Sequence, residues 1–356
     1  MKVLITGGCG FLGSNLASAF LKDGEEVVII DALFRKGSKH NLHWLERQAG
    51  SQQLHFIQAD VAGADAVQSV FRRHAPFDYV CHVAGQVAMT TSLLDPMRDI
   101  QTNVIGTFNV LEAVRAFSPE ALVAYSSTNK VYGDLEWLRT EETATRYILP
   151  DYPNGLDENI PLDFSTPYGC SKGSADQYVK DWARVYGLKT VVFRHSSIYG
   201  GRQFATFDQG WIGWFCQKAL EQKHTRFEGL ACSPFSISGT GKQVRDVLHA
   251  EDLINLYRTA YLQRDKLKGE VLNIGGGANN SLSLIELFSA LESALNISPL
   301  DFVHLPRRKS DQDYFVASLS KVHQLLDWSP MISMSEGIHK MLEWSLKLSI
   351  DSMGTH

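Results

Sequence analysis

Tyr168 and Lys172 stand four residues apart in Tyr168-Gly-Cys-Ser-Lys172, a spacing that puts both on one face of a helix. A phenol beside an ammonium can move protons. Its ordinary pKa near 10 must fall to about 7 for it to serve as a base near neutrality, which costs about 4 kcal/mol. A neighbouring ammonium favours the phenolate, as does any other positive charge held against it. Such pairs also occur on solvated helices, so this one draws its meaning from its company. Near the start of the chain lies Gly7-Gly8-Cys9-Gly10-Phe11-Leu12-Gly13. Glycines at this spacing allow a tight turn and let backbone approach a pyrophosphate. The helix that follows offers free N–H groups and a partial positive charge. A third element, Tyr125-Ser126-Ser127-Thr128, ends a predicted strand with hydroxyls, and the Thr128 hydroxyl can bridge a sugar oxygen and the tyrosine.

Alternating strands and helices must position these groups. Lys2–Thr6 reads as a short apolar strand, Phe11–Lys22 as a helix stopped by Gly24, and Glu26–Asp31 as a Val/Ile-rich second strand. Further strands are predicted at Leu54–Gln58, Asp78–His82, Leu122–Tyr125 and Thr190–Arg194, with helices over about 62–75, 98–117 and Tyr168–Tyr186. This order predicts an α/β fold: a Rossmann-type, doubly wound parallel sheet with a smaller C-terminal α/β substrate lobe. Residues 1–202, joined by 246–280, are assigned to the nucleotide-binding domain, and 203–245 with 281–350 to the smaller lobe. The polar, Pro/Gly-punctuated stretch 134–163 reads as a loop excursion, and Ser352–His356 is expected to fray.

In such sheets ligands bind at the carboxyl ends of the strands. Asp31 closes the second strand, where a carboxylate accepts from a ribose diol and repels a 2′-phosphate. That favours NAD, although Arg35 and Lys36 keep NADP as the lesser alternative. Asp60 and Val61, after the third strand, face the adenine on this reading. Lys172 can also reach the nicotinamide ribose.

The formal net charge of −5 and 21% charged residues describe an ordinary globular chain and argue against a nucleic-acid partner. No apolar run is long enough to cross a bilayer, and no secretory signal is read at the N-terminus. The five scattered cysteines suggest neither disulfides nor a zinc site. With no metal and no membrane partner expected, the chain is placed in the cytoplasm.

With the glycine loop, the Ser-Ser-Thr strand end and Tyr-x-x-x-Lys in order, the chain resembles the extended short-chain dehydrogenases/reductases of the NAD-dependent epimerase/dehydratase type. His82-Val-Ala-Gly-Gln86, Asn103 and Arg194-His-Ser-Ser-Ile-Tyr199-Gly200 fit the same pattern. Longer stretches narrow the resemblance to 2-epimerases of CDP-hexoses. They are Arg35 to Leu45, Gln86 to Ser92, Ser126 to Asp134 and Gly201 to Trp211. This resemblance implies tightly bound NAD and epimerisation of a nucleotide-diphosphate sugar at C2, by transient oxidation to a keto sugar and return of the hydride.

Carried over, the catalytic set is Thr128, Tyr168 and Lys172. The cofactor set is Gly7, Gly10, Phe11, Leu12, Gly13, Asp31, Asp60, Val61, Ala84 and Asn103, with Tyr168 and Lys172. Gln86, Asn129, His195, Arg202, Arg245 and Arg308 are expected to meet the substrate, the last two through its phosphates, which suit the guanidinium fork. A homodimer or higher homo-oligomer is implied, pairing the 98–117 segment and the Tyr168 helix. Two departures matter. Asn129-Lys130 follows Thr128 where sugar 4,6-dehydratases carry Asp-Glu, which disfavours elimination, and Ser197 stands where many relatives have Asn. The residues themselves leave open a 4-epimerase using the same machinery, a simple reductase, and a non-catalytic NAD-binding sensor.

Overall fold

The computed structural model describes residues 1–50, 53–308 and 310–353. Its larger lobe is built on a seven-stranded sheet. The strand order is Glu270–Ile274, Lys189–His195, Leu122–Thr128, Tyr79–His82, Lys2–Thr6, Glu26–Asp31, Leu54–Gln58. Every neighbouring pair is parallel. The first strand thus lies between the second and the fourth, and the connections diverge there. This opens a crevice at the carboxyl edge of the sheet.

Strand periodicity makes two cores. Val3, Ile5, Val27 and Ile29 point to one face, where they meet Leu16, Phe20, Leu253 and Tyr257 from the helices Phe11–Lys22 and Ala250–Leu262. Leu4, Val28 and Ile30 point to the other, against Val67, Phe71, Val110 and Val179. Burial on both faces explains why these strands read as unbroken apolar runs. Val322, Leu326 and Trp328, late in the chain, also pack into the first core.

The smaller lobe holds its own cluster around Phe215, Phe235, Phe288 and Met341. Here Val244–His249 pairs with Ser197–Tyr199, Ser281–Leu282 and Tyr314–Phe315, and Phe235–Ser238 pairs with Phe302–Leu305. The 134–163 excursion is held by neighbours: it carries a two-strand ribbon, Glu141–Glu142 with Tyr147–Ile148. Leu135, Leu149 and Leu156 bury against Phe315. Leu156 N donates to Val316 O at 2.7 Å and Tyr147 N to Lys242 O at 3.0 Å.

The single helix expected over 98–117 is three pieces: Pro96–Asp99, a π-helical Ile100–Ile105, and the α-helix Gly106–Phe117. The wide turn carries Asn103 inward to full burial, and Thr107 Oγ1 donates to Asn103 O at 2.6 Å. A Cβ at Gly106 would sit 2.6 Å from Val61 Cγ2, so the helix packs this closely on the turn after the third strand because that residue is glycine. Of the expected frayed end, residues 354–356 lie outside the described residues. Among the described residues no helix is long and apolar enough to cross a membrane.

Candidate active site

One cleft of about 680 Å³ runs between the lobes. Its larger-lobe wall starts with the glycine loop. Gly7 sits at φ +70°, and a Cβ there would lie 2.8 Å from Ala84 Cα. A Cβ on Gly13 would lie 2.1 Å from Gly7 O, so the helix can pack on the turn only without one. Gly8, outside the motif spacing, is equally constrained, with Ile29 side-chain atoms 2.6 Å from its would-be Cβ. Gly10 is the N-cap, and no side chain occupies the helix end. The first-turn N–H groups therefore remain available to an anion.

Asp31 is held in place by Cys9 N at 2.8 Å and Leu33 N at 2.7 Å. Burial raises its pKa against those bonds. Asp60, Val61 and Ala84 line the same end. This cradle fits a dinucleotide: Gly7, Gly10, Phe11, Leu12 and Gly13 for the pyrophosphate, Asp31 for a ribose.

At the other end, the Leu122–Thr128 strand and the helix Thr166–Tyr186 bring Thr128, Tyr168 and Lys172 together in the cleft wall. Pro167 opens that helix, and Thr166 before it holds φ +63°, a costly conformation for a β-branched residue. Burial pushes the Tyr168 phenol up to about 12, the Thr128 hydroxyl bonded to it pulls the other way, and the Asp99 carboxylate adds to the rise. The protein alone therefore keeps the phenol protonated.

Lys172 is buried, and desolvation brings it down to about 7 against the pull of Asp176. Its Nζ donates to Ser126 O and lies 4.4 Å over the Tyr125 ring. Asp176, one turn further along the same face, takes Ser127 Oγ at 2.8 Å and both arms of Arg194 at 2.9 Å. Arg194 in turn donates to Tyr132 Oη at 3.0 Å. This buried network fixes strand ends and helix together. It was missed from the sequence, although Lys172 to Asp176 repeats the four-residue spacing.

The remaining expected contacts divide. His195 is buried beside Thr128, bonded through Nδ1 to Ser126 Oγ at 3.1 Å, with Nε2 free of any protein partner. Burial, then the Lys172 charge, brings it down to about 3, so it stays neutral. Arg245 reaches the cleft held by Asp311 at 2.9 Å, and Arg308 lies over Phe207 at 5.2 Å.

Asn129 donates to Gln312 Oε1 at 3.1 Å. The Gln86 side chain is engaged by Ala88 and Asp99 at 2.8 Å. Asn103 does not line the cleft: it clamps Gln86 N and O and donates to Ser171 Oγ at 2.9 Å. Gln86 and Asn103 thus brace the wall. Ser197, in place of the usual Asn, accepts from Trp211 Nε1 at 3.2 Å.

A glycine cradle and a buried Thr128, Tyr168 and Lys172 line one cleft of a Rossmann-type fold, the arrangement of a dinucleotide-dependent enzyme. The chain belongs to the NAD dependent epimerase/dehydratase family, whose model matches residues 3–275. It is 55% identical over 338 residues to the CDP-paratose 2-epimerase of Salmonella typhi, covering 95% of this chain and 97% of that one. A putative UDP-glucose 4-epimerase of Methanocaldococcus jannaschii is 29% identical over 94% of this chain and 95% of its own. Among solved structures, the UDP-glucuronic acid 4-epimerase of Bacillus cereus, in complex with UDP-glucuronic acid and NAD, superposes with a TM-score of 0.80 at 26% identity. That match covers 98% of this chain and 100% of the other.

Proposed function

We propose that this protein is an NAD-dependent epimerase acting at C2 of a nucleotide-diphosphate hexose, of the CDP-paratose to CDP-tyvelose type. The carrying observation is the single cleft that joins the glycine cradle to Thr128, Tyr168 and Lys172. The 55% identity to a 2-epimerase favours C2 over C4. Bound NAD supplies an acceptor and donor of hydride. The chain's own residues do the rest. Tyr168 takes the proton from the sugar hydroxyl and later returns it, with Thr128 aligning the phenol. Lys172 holds positive charge near the site. Arg245 and Arg308 hold the diphosphate while the sugar turns over between the two half-reactions.

A substrate carrying deuterium at C2 is expected to keep its label in ordinary water. Solvent hydrogen at C2 in the product, read by proton NMR, overturns direct hydride return and points to proton abstraction. The same spectra on CDP-, GDP- and UDP-sugars separate this reading from 4-epimerisation, which the 29% identical relative represents.

Ile100, Ile105 and Phe108 are 41–46% exposed, and Tyr178, Val185 and Tyr186 on the neighbouring helix are 42–56% exposed. Phe108 touches Trp182 edge-on at 5.8 Å, so the two sets form one apolar surface. A second copy of the chain covers it, giving a homodimer. Light scattering is expected to show the mass of two chains, and the mass of one at micromolar concentration overturns the assignment. A cytoplasmic setting keeps the five free cysteines reduced.

A further inference from the structure

Arg202, expected to meet the substrate, lines the cleft, where two indoles hold it. Its guanidinium lies 4.5 Å from the ring centre of Trp44 and 4.5 Å from that of Trp344. Those indoles come from opposite ends of the chain. Trp44 belongs to the helix Ser38–Glu46 that follows the second strand, and Trp344 to the long helix Met334–Met353.

The segment around Arg202, residues 200–210, is fastened to the cofactor loop. Asn15, on the helix opening at Gly10, donates to Gly201 O at 2.9 Å. Asn41 donates to Cys9 O inside the glycine loop at 3.1 Å and to Arg202 O at 3.3 Å. Phe204 stacks on His40 at 5.6 Å and fills the space a Cβ on Gly37 would take. Trp344 Nε1 donates to Gln203 O at 3.1 Å.

The other end is lighter. Asp208 accepts from Thr90 Oγ1 at 3.2 Å and Thr91 Oγ1 at 3.4 Å, and its carboxylate faces Arg35 electrostatically. Thr91, Asp208 and the glycine loop all line the cleft, so this contact joins two of its walls.

We propose that residues 200–210 form a strap that retains NAD on the glycine loop, with Arg202 between its two indoles as the fixed end and Asp208 as the latch. A strap suits a reaction that ends with its cofactor in the starting state, because a cofactor lost midway leaves an oxidised sugar behind. The proposal rests on NAD binding at the loop. Arg202 is a positioning residue on this account. A guanidinium held by two indoles is worth enough to slow escape by about tenfold.

The test is exchange. Protein purified with its NAD is mixed with radiolabelled NAD, and label uptake is followed through a desalting column. Wild type is expected to exchange slowly. Arg202→Gln and Asp208→Ala are expected to exchange about tenfold faster or more, and Arg202→Lys, which keeps a cation between the rings, less than Arg202→Gln. A purely structural role would lower the melting temperature without changing exchange in the folded fraction. If Arg202→Gln does not fold, the half-exposed Asp208 carries the test. Exchange at the wild-type rate in both variants, or fast exchange in wild type, overturns the strap while leaving NAD binding intact. A wild-type protein that takes up no NAD overturns the cofactor reading together with the strap.

Discussion

Tyr168→Phe is expected to lower kcat for sugar epimerisation by about 10²–10⁴-fold, with the protein folded and its NAD retained. The substitution removes one oxygen and leaves the ring in the cleft wall. That oxygen shares a hydrogen bond with Thr128, and burial holds it near pKa 12 in the protein alone. A base with that value is idle at neutral pH, so the phenolate forms only when positive charge arrives. Lys172 contributes part of it, and the oxidised nicotinamide the rest.

The sign follows. The working base must be deprotonated while Lys172, which burial brings down to about 7, keeps its proton, so kcat/KM should rise with pH through a midpoint well below 12 and fall again as Lys172 loses its charge. Lys172→Met should move that midpoint upward, because removing a cation disfavours the phenolate. Product formation followed by NMR checks both. Conversion by Tyr168→Phe within about threefold of wild type would move the proton chemistry to another group.

Asp176→Ala should cost about 3–5 kcal/mol of folding stability, the usual loss when one partner of a buried ion pair is deleted. Asp176 is fully buried and Arg194 nearly so. The carboxylate receives Arg194 through two nitrogens and Ser127 through a third bond. Without it, the guanidinium keeps only Tyr132 Oη and stays buried, too far from water to recover hydration. Denaturant unfolding at fixed NAD concentration measures the loss, and a change below about 1 kcal/mol would show the pair to be dispensable. Activity should fall as well, because Asp176 supports the charge on Lys172.

The parts of this molecule that rest on local pattern were readable from its residues. The apolar runs of the strands, the glycine spacing at 7, 10 and 13, and the Tyr168–Lys172 face each follow from one stretch of chain. The π-helical turn at Ile100–Ile105 was not, because it depends on Gly106 reaching Val61 and Asn103 turning toward Gln86. Arg202 shows the same limit. Residues 44, 202 and 344 meet only in three dimensions, and the motif around Arg202 carries no hint of two indoles. Resemblance pointed to Gln86 as a substrate contact and Asn103 as a cofactor contact, but their engagement with each other belongs to the folded wall. The low pKa of Lys172 depends on burial, which spacing alone does not report.

The 134–163 excursion leaves the large sheet and is tied by backbone bonds to Lys242 and Val316 in the other lobe, while the Ser197–Tyr199 strand is paired there too. The chain therefore crosses between lobes at several stitched points, which restrain a jaw-like swing about a single hinge. On the proposed epimerase reading, a keto sugar that must show its second face turns between these tied walls, pivoting on its own phosphate linkage. Discrimination among hexoses then falls to clearance: a ring whose substituents cannot sweep past the walls halts halfway, oxidised and unreleased.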